Sequence, residues 1–295
     1  MNEYQTLIVK QEEDGLATVT LNRPASKNAL STTMADELTA VFTNLKRDAD
    51  VRAVLLSGAG GNFCSGGDVK AMAAASLPIA ASQVEASGPV QAAGVTRSAE
   101  QRRATMQRYR ELTLALAAID KPVVAALDGV AYGAGFSIAL LADIVLVSER
   151  VRLVMVFHRI GLVPDVGAWY TLPRVVGLQR AKELIFSARE VGAAEALQMG
   201  LALEVCAPEA LLARAQAITR SFCGASATAM SLSKRALQSS LQSDLSSMLD
   251  MEAAAQAIAG GSEHAAEAVR RFMTKQAAQF QWPTKPPTEG QIGHR

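Results

Sequence analysis

One apolar run that ends in glycine turns constrains this chain more than any other stretch. Val123–Leu127 is short and uncharged, and Asp128-Gly129 follows it, which is typical of a buried strand that ends in a turn. Gly133–Gly135 then opens an apolar segment that is long enough for two helical turns and closes at Asp143. The pattern predicts a strand that turns through glycines into a buried helix.

Such a turn is suited to a developing negative charge. The first backbone N–H groups of a helix have no partner within it, and the helix dipole is positive at that end. The glycines also have a plainer interpretation, because small residues let a helix pack closely on a sheet. The stretch by itself leaves both interpretations open.

Charge and cysteine usage exclude several classes of function. The formal net charge is +1 and no block of like charges occurs, which argues against nucleic acid as the main partner. The three cysteines are an odd number without metal-ligand spacing, so we expect neither a disulfide framework nor a metal site. A reducing, cytoplasmic location fits this usage best.

No stretch predicts contact with a membrane. Met1–Asp14 has no apolar core of the signal-peptide type. The uncharged stretch Gly129–Ala142 is too short to span a bilayer and rich in glycine. With 49% hydrophobic residues, the chain can bury a sizeable core.

Strand and helix patterns alternate along the first two thirds of the chain. Strands separated by helices favour a mostly parallel sheet, so we expect an α/β fold. The predicted strands are Leu7–Lys10, Leu16–Leu21, Val51–Leu56, Val123–Leu127 and Ile144–Val147. The predicted helices run from Ser31 or Thr33 to Arg47, over Arg102–Ile119 and over Gly135–Leu141.

The final third of the chain has helical patterns alone. They cover Glu209–Phe222, Ala227–Gln242, Leu245–Ile258 and Glu263–Gln276. We therefore expect an α/β core over residues 1–206, a helical oligomerisation region over 207–280 and a loose, proline-containing tail over 281–295.

Leu77–Ser98 interrupts the alternation. It is rich in Ala, Ser, Gly and Pro and has no clear period. The composition favours a mobile surface loop or lid, and an inert insertion is the alternative.

Four motifs in order resemble the enoyl-CoA hydratase/isomerase, or crotonase, superfamily. They are Ser26–Leu30, Phe63–Val69, Asp128–Gly135 and Gly161–Gly167, and the resemblance extends to Phe272–Lys275. The wording Phe-x-x-Ile-Gly-Leu-x-Pro-Asp-x-Gly, which begins at Phe157, is similar to that of isomerases of ring-epoxide phenylacetyl-CoA. The resemblance implies a spiral of ββα units whose C-terminal helices build trimers or pairs of trimers.

The resemblance also implies chemistry through the enolate of an acyl-CoA thioester. Two backbone N–H groups hold the thioester oxygen in that family, and they fall at Gly67 and Ala134. Coenzyme A enters as part of the substrate, so we expect no separate cofactor.

Further positions match residues that line the substrate. For Asp68 a structural turn or cap is the favoured role of the side chain, and for Lys275 a solvated helix-face lysine is the alternative to a contact with a CoA phosphate. The matching positions are Lys27, Ala29, Ser65, Asp68, Val69, Phe157 and Lys275.

Two departures from the family pattern bear on the reaction. Hydratases of the family use two glutamates, and Ser137 and Phe157 stand in their places. Asp165 matches the position where isomerases keep their carboxylate, so the resemblance implies a proton shuttle there. The alternative for Asp165 is an N-cap of the following helix.

Two alternative functions remain open beside the isomerase. One is a hydratase with one carboxylate, and the other is a non-catalytic acyl-CoA-binding protein.

Four other side chains are weaker candidates. His158 adjoins the site in sequence but is expected at the surface, and Cys64 has no neighbouring base that would activate it. Tyr132 and Trp169 are candidates for the wall of an acyl pocket, with a core position as the alternative for each.

Overall fold

The structure is a computed structural model that describes residues 4–68 and 91–284, without the side chains of 91–99, 101 and 102. The described residues form nine strands and ten α-helices. The strands are β1 (Leu7–Gln11), β2 (Leu16–Leu21), β3 (Ala53–Gly58), β4 (Val123–Leu127), β5 (Val130–Tyr132), β6 (Ile144–Ser148), β7 (Arg152–Val154), β8 (Glu190–Val191) and β9 (Glu204–Cys206). The helices are α1 (Thr32–Arg47), α2 (Gln91–Ala117), α3 (Ala134–Ala139), α4 (Ala168–Val176), α5 (Leu178–Ser187), α6 (Ala193–Gln198), α7 (Pro208–Cys223), α8 (Ala227–Ser239), α9 (Leu245–Gly260) and α10 (Glu263–Met273).

The strands form a six-stranded sheet in the order β1-β2-β3-β4-β6-β9 and a small sheet in the order β5-β7-β8. In the large sheet β1 is antiparallel to β2, and the other pairs are parallel. Parallel strands end at the same edge, so the loops that follow β3 and β4 leave the sheet side by side. This carboxyl edge of the large sheet is where the candidate site lies.

Both faces of the large sheet are buried, which explains its continuous apolar strands. Along β3, Val54 and Leu56 face the core beneath α1, whereas Ala53 and Leu55 face the core beneath α7. All residues of β4 are buried. The prediction of an α/β fold with a mostly parallel sheet is confirmed.

Helix α2 begins earlier than the sequence pattern predicted. Residues 91–98 of the predicted loop Leu77–Ser98 belong to this helix, so for them the prediction of a loop is wrong. The composition misled the prediction, because Ala is the strongest helix former while the neighbouring Gly and Ser obscure the pattern. The rest of the predicted loop lies outside the described residues.

The C-terminal helices extend from the body of the protein. Lys234 of α8 binds the carboxylate of Asp143 at 2.6 Å and the carbonyl of Lys121 at 2.9 Å, which fixes α8 to the core. Helices α8, α9 and α10 contain no buried residue, and apolar side chains such as Leu245 (75%) and Phe272 (81%) are exposed. These helices therefore present an apolar surface to solvent.

The chain then returns to α7. Phe280 stacks on Phe222 with ring centroids 6.1 Å apart, and Trp282 packs edge-on against the same ring at 5.8 Å. Arg214 donates hydrogen bonds to the carbonyls of Pro283 and Thr284. Of the predicted loose tail, residues 281–284 are thus held against α7, and the remainder lies outside the described residues.

No described helix is both long enough and apolar enough to cross a membrane.

Candidate active site

Three loops meet at the carboxyl edge of the large sheet and are joined through their backbones. Leu30 N donates to Gly66 O at 2.8 Å, and Ser65 N donates to Lys27 O at 2.9 Å, which joins the loop before α1 to the loop after β3. Tyr132 N donates to Cys64 O at 2.9 Å, which joins the loop after β3 to β5. The motifs Ser26–Leu30, Phe63–Val69 and Asp128–Gly135 therefore lie together, as their resemblance implied.

Asn28 holds two of these loops in place from inside the protein. Its side chain is fully buried, accepts a hydrogen bond from Arg23 N at 2.8 Å and donates to the carbonyls of Ala59 and Asn62. Its φ of 57° is the left-handed conformation that asparagine tolerates better than most residues. The sequence analysis missed this role. An Asn in the turn that follows Pro24, able to bond with both ends of its amide, was the available signal.

Glycine allows the loop after β3 to approach β5 and α3. Gly66 has a φ of 95°, and a Cβ there would lie 2.8 Å from Tyr132 O and 3.8 Å from Ala134 N. A Cβ on Gly135 would lie 2.6 Å from the Cβ of Cys64. The interpretation that the glycines permit close packing is therefore confirmed, and this packing brings Gly66, which precedes Gly67, beside Ala134. The interpretation as a site for a developing negative charge stays a prediction.

Several backbone donors in this region have no acceptor within the described residues, Gly66 N, Gly135 N and Phe136 N among them, and two of the donors are those that the resemblance implies. They are Gly67 N and Ala134 N, and Ala134, which is buried, is the first residue of α3. A buried N–H without an acceptor is rare in folded proteins, because leaving it unpaired is unfavourable. Two fixed donors of this kind are the arrangement that stabilises a developing oxyanion.

The wall beside these donors is apolar. Ser137 is fully buried, and its hydroxyl donates to Gly133 O at 3.1 Å, so it is already paired. The ring of Phe157, also buried, lies 3.6 Å from where Gly133 would carry a Cβ. No carboxylate stands at either position, in agreement with the departures read from the sequence.

Asp165 is the carboxylate that the resemblance implies for the site. Its Oδ1 is buried and has no hydrogen-bond partner within the described residues. Burial in apolar surroundings raises the pKa of Asp165 from 3.8 to about 7, because a charged carboxylate is poorly solvated there. The group can therefore gain and lose a proton near neutral pH, which suits a general acid–base catalyst.

The N-cap interpretation of Asp165 is wrong. The residue at the N-cap of α4 is Gly167, and α4 has no side-chain cap. Asp165 contributes its backbone carbonyl alone, which accepts a hydrogen bond from Ala168 N at 3.1 Å. The carboxyl group of Asp165 therefore does not cap helix α4.

The backbone after Asp165 is strained. Val166 has a φ of 50°, and Gly167 follows with a φ of 79°. A β-branched residue in the left-handed region is unusual and costs about 1–3 kcal/mol, so it persists where the surroundings impose it. The side chain of Val166 is buried, and the turn holds the carboxyl group of Asp165 in the apolar wall.

Tyr109 is a site residue that the sequence analysis missed. It lies on α2 and is buried, and its hydroxyl is close enough to Asp165, Cys64 and Asp68 for their charges to raise its pKa, in addition to a larger effect of burial. Its apolar neighbours along α2 gave it the pattern of a core residue. Only the packing of α2 against the site reveals it.

The four weaker candidates have other surroundings. Burial raises the pKa of Cys64 to about 11, so its thiol stays protonated. His158 is exposed and stacks on Phe186 with centroids 5.9 Å apart, as expected of a surface histidine. Tyr132 donates its hydroxyl to Glu190 at 3.0 Å. Trp169 is 63% exposed and so does not lie in the core.

The residues predicted to line the substrate are brought together in part. Lys27, Ala29 and Ser65 lie in the joined loops, and Ser65 Oγ donates to Ser26 O at 3.0 Å. Asp68 forms an ion pair with Arg23 at 3.0 Å, which agrees with a structural role for its side chain. Val69 lies outside the described residues.

Lys275 lies four residues before a segment that packs at the amino edge of the large sheet. It follows α10, and Gln279, only a few residues later, packs with its carbonyl against Gly224 at the end of α7. That end of α7 lies beside the hairpin turn between β1 and β2, where Arg220 pairs with Glu12 and Asp14. This is the amino edge of the large sheet. Lys275 therefore lies toward the edge opposite to Gly67, Ala134 and Asp165.

Within residues 4–68 and 91–284 no group of three or more His, Cys, Asp and Glu side chains is placed to hold a metal ion.

Comparisons with known proteins agree with this geometry. The family model described as enoyl-CoA hydratase/isomerase matches residues 16–222. The chain is 33% identical over 276 residues to 1,2-epoxyphenylacetyl-CoA isomerase of Escherichia coli (strain K12), with 92% of this chain and 97% of that protein aligned. It is 34% identical over 282 residues to a protein of Rhodobacter capsulatus named "Probable enoyl-CoA hydratase", with 94% and 98% aligned.

A solved structure has the same fold. An enoyl-CoA hydratase/isomerase from Cupriavidus metallidurans CH34 superposes with a TM-score of 0.83 at 36% identity, covering 97% of this chain and 100% of that one. The spiral fold and C-terminal helices expected from the four motifs are thereby confirmed.

Proposed function

The chain belongs to the enoyl-CoA hydratase/isomerase family, and from that premise we propose that it is an isomerase of acyl-CoA thioesters with Asp165 as its acid and base. One observation carries the proposal. Within the described residues Asp165 Oδ1 is buried and has no hydrogen-bond partner, and burial raises the pKa of this carboxyl group to about 7, while Ser137 and Phe157 match the positions of the two glutamates of hydratases. One carboxylate is sufficient to move a proton between two carbons of the same substrate.

The reaction follows from the donors and the carboxylate. The N–H groups of Gly67 and Ala134 bind the thioester oxygen of a 3-enoyl-CoA. Ionised Asp165 removes a proton from the carbon next to the thioester, and the electron pair moves onto the oxygen as an enolate. Protonated Asp165 returns the same proton to the fourth carbon, while the double bond moves into conjugation with the thioester. Substrate and product have the same atoms, and the two N–H groups stabilise the charge of the intermediate.

The apolar wall supports this reaction in two ways. Burial keeps the pKa of Asp165 near the value that proton exchange at neutral pH needs, and the neighbouring Val166 is itself buried. The same burial protects an enolate from protonation by solvent. The isomerisation of 1,2-epoxyphenylacetyl-CoA named for the Escherichia coli relative would use the same donors and carboxylate on a different acyl group.

The second candidate is hydration of a 2-enoyl-CoA, with Asp165 alone activating water. The name of the Rhodobacter capsulatus relative favours it. The buried wall opposes it, because two carboxylates that would position a water are replaced by a paired hydroxyl and a phenyl ring. A third candidate is acyl-CoA binding without turnover. It does not explain why Asp165 Oδ1 is buried without a hydrogen-bond partner within the described residues.

Mass spectrometry distinguishes the three candidates. The protein is incubated with 3-hexenoyl-CoA and separately with 2-hexenoyl-CoA, and each product is examined for mass and retention time. Isomerisation changes the retention time at constant mass, whereas hydration adds one water. The proposal predicts the first result and its loss in Asp165→Asn. A product that has gained water as the main outcome, or no turnover of either compound and of ring-containing thioesters, contradicts it.

We also propose that the C-terminal helices assemble the protein into trimers or pairs of trimers. The exposed apolar side chains of α8, α9 and α10 support this, since a surface of this kind is unfavourable in water unless another copy covers it. The position of Lys275 supports it too. Because its own site lies toward the opposite edge of the sheet, Lys275 would reach a CoA phosphate only at the site of a neighbouring copy. Light scattering of the purified protein measures the number of copies, and a monomer would contradict the assembly.

A further inference from the structure

Both hydrogen-bond donors of Ser137 are directed at one carbonyl oxygen. Ser137 matches the position of a glutamate in hydratases of the family, and the proton transfer proposed above gives it no part. It lies in α3 and is fully buried. Its hydroxyl donates to Gly133 O at 3.1 Å, and its backbone N–H donates to the same oxygen at 2.9 Å. A carbonyl oxygen can accept both bonds, because it has two lone pairs.

The carbonyl that accepts these bonds belongs to the same peptide unit as the donor Ala134 N. This peptide bond is trans, so its C=O and N–H bonds point in opposite directions. Because Gly133 O points along α3 toward Ser137, the N–H of Ala134 points the other way, out of the start of the helix. The bonds that hold Gly133 O therefore also set the direction of the Ala134 donor.

Gly133 has a backbone conformation that its surroundings must hold in place. Its φ of 48° and ψ of −121° lie in a region that residues with a side chain rarely adopt. Gly133 N donates to Val154 O of β7 at 2.8 Å, which holds one end of the residue. The two bonds from Ser137 hold the other end. Without the Ser137 hydroxyl, one of these two bonds to Gly133 O would be lost.

A second buried hydroxyl shows what is particular to Ser137. Thr219 of α7 is also fully buried and donates to the carbonyl four residues earlier, Ala215 O, at 2.7 Å. Such bonds are common in helices, and their effect is usually local. The N–H in the peptide unit of Ala215 O is that of Gln216, in the interior of α7, where helix bonds use it. The N–H of Ala134, in contrast, has no acceptor within the described residues, so it is free for a ligand.

We propose that Ser137 is a positioning residue for the oxyanion: through Gly133 O, its hydroxyl orients and polarises the N–H of Ala134 that binds the thioester oxygen. A hydrogen bond to a carbonyl draws electron density from the amide nitrogen and makes its N–H a stronger donor. The gain is largest where the bound oxygen carries the charge of the enolate. The inference rests on the proposed function in placing the thioester oxygen at Ala134 N, and it does not depend on proton transfer by Asp165.

Infrared spectra of a bound thioester, together with steady-state kinetics, test the inference. The probe is hexanoyl-CoA, isotopically labelled at the thioester carbonyl, which has no double bond to move. Its carbonyl stretching frequency falls as the hydrogen bonds to the oxygen become stronger. The proteins are wild type, Ser137→Ala and the control Thr219→Val, and each variant loses one buried hydroxyl that bonds to the carbonyl four residues earlier. Values of kcat and KM are measured with 3-hexenoyl-CoA.

The wild type should lower the carbonyl frequency relative to the free compound, and Ser137→Ala should retain only part of that shift. In Ser137→Ala, kcat should fall by about threefold to tenfold with KM within about twofold, because the lost interaction acts mainly on the enolate. The loss is smaller than the ~10²–10³-fold that follows removal of a whole donor, since the N–H of Ala134 remains. Thr219→Val should keep the wild-type frequency and kcat.

Three results would overturn the inference: a wild type that does not shift the carbonyl frequency, Ser137→Ala and Thr219→Val that give equal shifts, and a rise in KM of Ser137→Ala at an unchanged frequency. The last is the result expected of a hydroxyl that only shapes the pocket. A partly unfolded variant binds less probe, which lowers the intensity of the band and leaves its frequency unchanged. Failure of the proposed isomerisation would appear separately in the mass spectra, and the carbonyl frequencies would still decide the role of Ser137.

Discussion

The two edges of the large sheet differ in how completely their polar groups are paired. At the amino edge Arg220 binds both Glu12 and Asp14, Arg52 donates to Ala225 O, and Lys121 donates to three backbone carbonyls. At the carboxyl edge Gly67 N, Ala134 N and Asp165 Oδ1 have no partner within the described residues. At the amino edge Asp120 Oδ1 is also without a partner in the described part of the chain, but its Oδ2 accepts a hydrogen bond from Arg235. The amino edge is the more completely paired of the two, and we expect the carboxyl edge to bind the ligand.

A cavity at the amino edge has different surroundings. An open cavity of about 560 Å³ lies at the amino edge, lined by residues that include Asp14, Arg220 and Cys223. Its charged groups are paired with each other, and burial raises the pKa of Cys223 to about 11, which keeps the thiol unreactive. We therefore expect the chemistry at the carboxyl edge, where Asp165 lies in an apolar wall.

The largest effect is expected from the carboxylate of the carboxyl edge. Asp165→Asn keeps the size of the side chain and removes its ability to exchange a proton. Turnover of the acyl-CoA substrate should fall by about 10²–10⁴-fold, the usual contribution of a general acid–base group. Steady-state kinetics measure it. A variant with more than a tenth of wild-type turnover would show that Asp165 does not move the proton.

The same variant should be more stable than the wild type above neutral pH. The carboxyl group ionises near 3.8 when unfolded and near 7 when folded, so the native state holds its proton more tightly. The wild type therefore loses stability as the pH rises from about 4 to about 7, and the loss stays constant above that range. Asn does not ionise and avoids the loss, which amounts to about 4 kcal/mol at most.

Urea unfolding at several pH values measures this difference. The free energy of unfolding of Asp165→Asn minus that of the wild type should grow between pH 4 and 7 and then level off. A difference that does not change with pH would mean that Asp165 is solvated in the native protein.

Two glycines with similar surroundings at opposite edges sharpen the comparison further. Gly66 at the carboxyl edge has a φ of 95°, and Gly15 at the amino edge has a φ of 90°. A Cβ on either would lie 2.8 Å from a backbone carbonyl oxygen, that of Tyr132 or that of Asp50. Replacement by Ala should therefore lower the free energy of unfolding by a similar amount, about 1–3 kcal/mol for each.

Only Gly66→Ala should also lose activity, because it displaces Gly67 N relative to Ala134 N. The expected loss is about 10-fold or more in kcat, since one misplaced donor weakens the bond to the oxyanion. Denaturation curves and kcat are measured on both variants. Equal losses of kcat in Gly66→Ala and Gly15→Ala would show that the loop after β3 has no special part in catalysis.

The smallest effect is expected from a paired carboxylate of the amino edge. Asp14→Asn weakens the pair with Arg220, which is partly exposed. Surface pairs of this kind contribute about 0–1 kcal/mol, so unfolding should change little and kcat should stay within about twofold of wild type. Thermal melting and steady-state kinetics test both statements. A loss of activity comparable to that of Asp165→Asn would remove the distinction between the edges.

The sequence was sufficient for the parts of the fold that depend on local pattern. Strand Val123–Leu127 was predicted with its observed bounds, and Ser31 caps helix α1 through a hydrogen bond from Met34 N. The joining of the loops was predicted only through the family resemblance, because no local pattern states which backbone groups pair across a fold. The roles expected for Gly67, Ala134 and Asp165 stay predictions until activity is measured.

What the sequence missed depends on distant parts of the chain. By its sequence pattern Tyr109 is one more core residue, and only the packing of α2 on the turn after Asp165 distinguishes it. The positive φ of Val166 is not expected for a β-branched residue, so the sequence does not predict the strain there. Lys275 matched a family position, yet only the path of the chain after α10 shows that it lies toward the other edge. Each of these facts arises from tertiary packing, which residue patterns do not encode.

The pH dependence of kcat/KM for the wild type tests the central claim most directly. If Asp165 acts as the base from an apolar wall, kcat/KM should fall tenfold for each pH unit below about 7, where the carboxyl group becomes protonated. A value of kcat/KM that stays constant from pH 8 down to pH 5 would mean that the base ionises like an ordinary solvated carboxylate. That result would contradict the account of the carboxyl edge.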